Sequence, residues 1–479
     1  MSDLASIIAT LKSPSEEDKE LISRAFEFGE ATHKGQKRFS GEPYFSHCIA
    51  TAQTLGELHM DARTIAAGLL HDTFEDGSIS LADIEKKFGK EVAFLVDGVT
   101  KLGKYKYRGV VRHAESLRKL FLAVSKDTRV LVIRLADRLH NMKTLAHVPE
   151  EKRRRIALET LEIYSPIANR LGMGRIKGDL EDFAFPYVYP KEHAWVSLLR
   201  KERSKNATKH LERVYRDLQK ELRKAGVEVS SADYRVKHLY SLYKKLLRYD
   251  KDIDKIYDIA ALRVIVPEVS DCYRVLGIIH STWQPLPGRI KDYIASPKPN
   301  GYQSLHTSIF TGDGGIVEIQ IRTKKMHDEA EYGIAAHIAY KETAEETRGT
   351  LLGKKVRWIQ ELVNWQRQVS ASEEFLAHLH TDFFKDRVFV FTPDGDVIDL
   401  PEESYPLDFA YAVHSDIGDH LTGVKVNNKM VSLDTKLKNG DIVEIITKKS
   451  ASPSSKWLAY AATATAKKNI KAALVSKKR

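Results

Sequence analysis

The sequence predicts a multidomain α+β protein: an all-helical first part, a mixed α+β second domain and a small β-rich third one. Three observations carry this expectation. The chain has 479 residues, and at roughly 150 residues per domain that length suggests about three cores. Apolar residues recur at helical spacing from about Pro14 to Tyr187, as in Ile65, Leu69 and Leu70 or Val130, Ile133 and Leu135. Further on, Val317, Ile319 and Ile321 alternate with Glu318, Gln320 and Arg322, the period of a strand with one polar face.

Taken in order, the helical region is interrupted at Tyr187 to His193, and a charged helix is expected from Trp195 to Ala225. Gly172-Met173-Gly174 reads as a helix turn. Strands are expected at Ala261 to Val266, Val275 to His280 and Ile316 to Arg322. After the polar stretch Lys341 to Lys355 comes one more helix, then a hairpin over Val388 to Leu400 around Pro393-Asp394-Gly395-Asp396. A strand at Ile442 to Thr447, a Ser/Lys linker at Lys448 to Lys456 and a lone helix over 457–479 complete the chain.

Composition narrows the function classes. Apolar residues make up 42% and charged residues 29%, which excludes a disordered chain. The net charge of +11 favours anionic partners such as nucleotides or RNA. Cys48 and Cys272 are the only cysteines, too few for a disulfide framework or a cysteine zinc site, so a reducing cytosol fits. The start lacks a basic segment followed by an apolar core, and no uncharged apolar run is long enough to span a membrane. A cytoplasmic protein with no membrane partner is therefore expected. There is no Gly-x-x-x-x-Gly-Lys-Ser/Thr loop, so nucleotide chemistry must use another phosphate-binding device.

The chemistry concentrates in two places. His71-Asp72-Thr73-Phe74-Glu75-Asp76 follows an apolar helical stretch, with His71 four residues from Glu75 and Asp72 four from Asp76, as if lining one helical face. Asp137, Asn141 and Thr144 share that spacing on the Leu131 to Leu145 segment. Taken singly, His47 or Asp137 would be an ordinary capping or ion-paired residue. Together they suit a divalent ion held by imidazole and carboxylate groups, which lowers the pKa of bound water for hydrolysis. The second place has two carboxylates, Asp258 and Glu318, among basic residues at Arg235, Lys237, Lys245, Arg263, Arg289, Lys291 and Lys298. The loop Ser296 to His306, rich in Pro and Gly, would present Tyr302 for stacking on a base. Those are the parts a phosphoryl-type transfer needs: carboxylates for a metal and cations for phosphates.

Gly35 to His47, His71 to Asp76 and Leu135 to Met142 resemble the HD superfamily of phosphohydrolases and, more narrowly, the RelA/SpoT homologues. Tyr234 to Tyr243 and Glu318 to Thr323 resemble the synthetase domain of the same family. Asp386 to Thr447 resembles a TGS domain, a small β-grasp module. The resemblance implies an all-α HD phosphohydrolase domain over 1–195, a nucleotidyltransferase-like α+β synthetase domain over 196–345, a helical linker over 346–384, a TGS domain over 385–448 and the start of a helical region over 449–479. It implies a bifunctional enzyme of the stringent response, a pyrophosphokinase making (p)ppGpp from ATP and GDP or GTP and a 3′-diphosphatase destroying it.

Residue by residue, the resemblance gives His47, His71, Asp72 and Asp137 as Mn2+ ligands, Glu75 and Asp76 as the acidic pair of the hydrolase, and Arg38, Asn141 and Thr144 as its nucleotide contacts. In the synthetase it gives Asp258 and Glu318 as catalytic Mg2+ ligands and Arg235, Lys237, Lys245 and Arg263 as ATP contacts. Lys291, Lys298, Asn300, Tyr302, His306 and Gln320 fall to GDP/GTP. Arg289-Ile290-Lys291-Asp292 matches the basic loop motif of members with both activities. His414 matches a contact to uncharged tRNA on the ribosome, and the chain stops at Arg479, before the further regulatory modules of long members. Two conformations that each favour one site would avoid a futile cycle, with Trp195 to Ala225 as the coupler. The rival readings are a synthetase with a silent helical domain and an RNA-binding module without catalysis.

Overall fold

A computed structural model describes residues 3–74, 79–100, 109–298, 300–339, 358–360, 362–364, 366, 387–438 and 440–476. The chain divides into two compact units, Met1–Val363 and Asn364–Arg479.

The first unit opens with helices α1 (Asp3–Ile8), α2 (Glu16–Thr32), α3 (Phe45–Glu57), α4 (Ala62–Leu70), α5 (Leu81–Phe88), α6 (Lys90–Val99), α7 (Gly109–Val124), α8 (Arg129–Lys143), α9 (Glu150–Glu159), α10 (Ser165–Arg170) and α11 (Gly174–Val188). Local signals start several of them. Ser15 and Ser80 form capping boxes with Asp18 and Asp83, and Asp61 accepts from the Thr64 amide, each satisfying amides that the first turn leaves unpaired. Helix α8 has Val130 to Ala136 buried on every side, as expected of a central helix, and α3, α6, α7 and α11 pack around it.

Gly172-Met173-Gly174 is the turn between α10 and α11. Gly172 has φ +74°, and a Cβ on Gly174 would lie 2.5 Å from the Ala330 carbonyl oxygen, so the turn also sets how closely the second domain approaches the first. The interruption near Tyr187 is only a change of direction at Tyr189. Beyond it α12 runs unbroken from Pro190 to Lys224 and lies across both halves of the first unit.

The mixed domain is a five-stranded sheet of order β1-β2-β5-β4-β3, built from β1 (Ser231–Val236), β2 (Ala260–Val266), β3 (Lys291–Asp292), β4 (Leu305–Phe310) and β5 (Ile316–Thr323). Only the β2–β5 pair is parallel, setting Ala261 against Glu318 and Arg263 against Gln320. Helices α13 (Leu239–Arg248), α14 (Val269–Thr282), α15 (Lys324–Tyr332) and α16 (Ile334–Ala339) complete it.

The expected strand at Val275 to His280 is instead part of α14. Cys272, Val275 and Ile279 are spaced as one helical stripe, all fully buried against Leu262, Val264 and Ile319 of the sheet. Burying each of these apolar side chains contributes about 1.5–3 kcal/mol, and only the helix turns all three to the same side.

The second unit contains the hairpin β6 (Arg387–Phe391) and β7 (Val397–Pro401), turned at Gly395 with φ +89°. Beside it is the sheet β8 (Leu421–Val426), β9 (Lys429–Val431) and β10 (Val443–Thr447), ordered β10-β8-β9. The closing helix Ala464–Ser476 is not alone: Ala466 and Ile470 pack on Leu407 and Tyr411 of the helix Pro406–Val413. Buried Asp408 accepts from the Ala462 and Thr463 amides. Most of the linker expected over 346–384 lies outside the described residues.

Candidate functional site

Three elements build the first site. His47 lies on α3, His71 and Asp72 follow the last turn of α4, and Asp137 lies in the middle of α8. Here the helical-face expectation needs correction. The helix α4 ends at Leu70, where Thr73 turns both its amide and its hydroxyl onto the Leu70 carbonyl, so His71 and Asp72 sit in a turn. Glu75 and Asp76 lie outside the described residues.

His47, His71 and Asp137 are almost fully buried, and their ligand-type atoms cluster within 4.8 Å of one another. His47 Nε2 is 3.2 Å from Asp137 Oδ1 and 3.6 Å from Asp72 Oδ2, and His71 Nε2 is 3.3 Å from Asp72 Oδ2. His71 Nδ1 donates to the Gly68 carbonyl at 2.7 Å, while its Nε2 is buried without a hydrogen-bond partner. A buried imidazole nitrogen left open toward carboxylate oxygens costs free energy unless a cation completes it. The donor set therefore fits a divalent metal held by His47, His71, Asp72 and Asp137.

The electrostatics point the same way. Burial pulls His71 down, but the Asp72 and Asp137 carboxylates outweigh it and push it up to about 9. Burial would raise Asp72, but His71 and then His47 hold it well below the usual carboxylate range. Without a metal the His71 imidazolium is the positive partner of these carboxylates, a place a divalent cation takes by displacing its proton.

Residues not anticipated from sequence support the ligands. Tyr44 Oη donates to Asp72 Oδ2 at 2.9 Å, and buried Arg134 donates to Asp137 Oδ2 at 2.7 Å. His140 stands between His47 and Arg38, at 2.8 and 2.9 Å. Arg38 also donates to Asn141 Oδ1 (2.9 Å) and Thr144 Oγ1 (3.2 Å), so the three expected nucleotide contacts are brought together beside the candidate metal ligands. Sequence spacing held one signal for His140, which falls on the same stripe of α8 as Asp137, Asn141 and Thr144.

At the second site Asp258 lies just before β2, clamped by Lys237 (2.5 Å) from the end of β1 and Lys245 (2.7 Å) on α13. Burial would raise its pKa, but the two ammoniums outweigh that and hold it far below the carboxylate range. Glu318 Oε1 accepts from Gln320 Nε2 at 2.9 Å, with His306 Nδ1 3.3 Å away. Burial raises Glu318, yet the His306 bond leaves it lowered, so it is ionised at neutral pH. Arg235 donates to Gln320 Oε1 (3.2 Å). Among the described residues no cluster of three metal donors includes Asp258 or Glu318.

The loop before β4 is tightly closed. Asn300 Oδ1 accepts from the Tyr302 amide, and Lys298 and Tyr302 exchange a backbone bond around Gly301, whose φ is +79°. Tyr302 Oη pairs with His306 Nε2 (2.9 Å), and the Lys298 ammonium sits over the Tyr293 and Tyr302 rings. Burial, followed by Lys291, Lys237 and Arg235, lowers Lys298 to about 8. Lys291 pairs with His306 across β3 and β4.

Arg263, an expected ATP contact, is already paired with protein carboxylates. It forms a bidentate pair with Asp233 (2.8 and 2.7 Å) and a bond to Glu331 (2.9 Å). In the second unit, His414 is exposed and caps the following short helix, its Nδ1 accepting from the Asp416 amide.

Comparison with known proteins finds three matched regions. Residues 25–174 match the HD domain model, 234–345 the region found in RelA / SpoT proteins, and 388–447 the TGS domain. Three curated relatives align over nearly the whole chain. A probable guanosine-3′,5′-bis(diphosphate) 3′-pyrophosphohydrolase of Synechocystis is 47% identical, over 94% of this chain and 60% of its own length. A GTP pyrophosphokinase of Myxococcus xanthus is 46% identical, over 95% and 60%. The bifunctional (p)ppGpp synthase/hydrolase SpoT of Escherichia coli is 44% identical, over 96% and 65%. The chain thus spans under two thirds of the length of the relatives it matches.

Proposed function

The chain belongs to the RelA/SpoT homologue family, and from that premise we propose that it is a bifunctional alarmone enzyme. Its first domain hydrolyses (p)ppGpp to GDP or GTP and pyrophosphate. Its second transfers pyrophosphate from ATP to the 3′-hydroxyl of GDP or GTP, releasing AMP. The observation that carries the hydrolase reading is the convergence of two imidazoles and two carboxylates around the open Nε2 of buried His71.

Mn2+ is the ion we assign to His47, His71, Asp72 and Asp137; when bound it supplies Lewis acidity and an acidified water. Arg38, poised by Asn141, Thr144 and His140, offers a planar pair of donors to a pyrophosphate oxygen. Glu75 and Asp76 take the role of orienting the attacking water and accepting its proton.

In the synthetase, Lys237 and Lys245 neutralise Asp258 in the free protein and are the cations that meet the ATP phosphates. Arg235 supports them, and Arg263 acts from its place between Asp233 and Glu331. Ionised Glu318 accepts the proton of the 3′-hydroxyl, while Tyr302 stacks on guanine and Lys291, Lys298, Asn300, His306 and Gln320 line the GDP/GTP side. Mg2+ is the ion assigned to Asp258 and Glu318 with the phosphates. The TGS domain, through exposed His414, is the surface assigned to uncharged tRNA on the ribosome, in the cytoplasm.

The test is incubation with ppGpp and Mn2+, with and without a chelator. Chelator-sensitive release of GDP and pyrophosphate is expected. No release alongside active synthesis from ATP and GDP would leave a synthetase with a silent helical domain.

A further inference from the structure

His47 Nε2 faces two carboxylate oxygens, at 3.2 and 3.6 Å. It can serve a cation only if its lone pair, not a proton, points there. Neutral imidazole carries one N–H, so the ring must be protonated at Nδ1. Ligating histidines are usually held in that tautomer by a carboxylate, a backbone carbonyl or a water, and the Gly68 carbonyl does this for His71 at 2.7 Å. For His47 the group at this position is another imidazole: His140 Nδ1, 2.8 Å from His47 Nδ1. Two facing ring nitrogens leave the direction of the bond undecided by themselves.

Arg38 decides it. Its Nη1 lies 2.9 Å from the same His140 Nδ1, and a guanidinium can only donate. His140 Nδ1 must therefore be a lone pair, its own proton must sit on Nε2, and His47 must supply the Nδ1–H. We infer that His140 is a positioning residue for the metal centre: oriented by Arg38, it fixes His47 as the tautomer whose Nε2 lone pair faces the metal. The inference rests on the hydrolase reading above. It also explains why Arg38 approaches a histidine, a contact that phosphate binding alone does not require.

The expected effects follow from the acceptor. His140→Leu removes it, and His47 is then free to flip or to place its proton on Nε2. Mn2+ affinity should fall roughly 10–100-fold, the usual cost of losing such a partner. His140→Asn restores an acceptor at the Nδ1 position and should bind Mn2+ within a few-fold of wild type, a rescue that mere filling of space would not produce.

Free Mn2+ is followed by electron paramagnetic resonance during titration of the whole protein, with circular dichroism to show that each variant is folded. In parallel, long-range 15N–1H spectra of the metal-free wild type, labelled at histidine, report each ring's tautomer without any substitution. The Nδ1 of His47 should be protonated and that of His140 unprotonated. Wild-type binding by folded H140L, H140N as weak as H140L, or the reverse tautomers would each overturn the inference. Failure of the metal reading looks different: wild-type protein would then bind no Mn2+ at all, whatever the tautomers.

Discussion

Gly178 lies on α11 of the helical domain, where it meets the synthetase. A Cβ added there would be 2.3 Å from His238 Nε2, so the ring must retreat by about 1 Å to reach ordinary contact at 3.4 Å. His238 is not free to do so cheaply. Its Nδ1 is 2.9 Å from Asp182 Oδ2, and Asp182 Oδ1 accepts from the Tyr240 amide at 3.0 Å, so one carboxylate of α11 holds both the residue before α13 and the first turn of α13 itself. That segment carries Lys237 and Lys245, the two clamps on Asp258.

In Gly178→Ala, alanine gains about 1 kcal/mol of helix propensity. Loss of the Asp182 bond costs about 1.5–3 kcal/mol, reduced because His238 is partly solvated, so the net stability change should stay near 1 kcal/mol. Function should respond far more, since a displacement of about 1 Å at a phosphate-positioning group can cost roughly 10²-fold in rate. We expect kcat/KM for ATP in pyrophosphate transfer to fall roughly 10–100-fold, with (p)ppGpp hydrolysis within about twofold of wild type. His238→Ala in the same chain should relieve the crowding and recover part of the loss. A folded Gly178→Ala protein with unchanged synthetase kinetics would refute the claim that α11 positions the ATP lysines.

Other perturbations have equally definite outcomes. Arg134→Leu strips the cation from Asp137 Oδ2 at a site where the two residues are only 7% and 3% exposed; denaturant unfolding of metal-free protein should show a loss of about 3–5 kcal/mol in the first transition. Mn2+ at about 100 times its Kd should stabilise that transition by about 2.7 kcal/mol, and chelator should reverse the shift; a calorimetric scan insensitive to Mn2+ would contradict the ligand set. Because Lys298 is lowered to about 8, its ammonium is present at pH 7 and lost as pH rises through 8. Calorimetric titration should show GDP affinity falling between pH 7 and pH 9, and Lys298→Arg, which keeps its charge there, should flatten the fall.

Besides the charged helix expected as coupler, a second helix joins the helical and mixed domains. The charged helix α12 does run through both, but α11 packs against α8, which carries Asp137, and also against α13 and α15 of the synthetase. Buried Glu181 of α11 accepts from Lys244 (3.1 Å) and Ser241 (3.1 Å) of α13. Movement of α13 would thus bear on a helix that packs on α8, so α11 is a second route between the two domains beside α12.

Short-range information was enough for much of this protein. The 3.6-residue stripe of α8 located Asp137, Asn141 and Thr144, the two-residue alternation of β5 located Glu318 and Gln320, and the Pro393 to Asp396 turn located the β6–β7 hairpin. Such features depend on neighbours within a few residues, where backbone geometry alone decides which side chains share a face. Three outcomes depended on partners far along the chain. The segment Val275 to His280 is apolar enough for a strand, and became helical because a stripe with Cys272 could be buried on a sheet not yet specified locally. Nothing in the sequence around Arg263 showed that the fold would place Asp233 and Glu331 against it. His140 shares the α8 stripe of Asp137 and Asn141, which marks its face but not its role. Its partners His47 and Arg38 are 93 and 102 residues away, and the direction of a hydrogen bond between two imidazoles is set only when the fold brings up a group that can do nothing but donate.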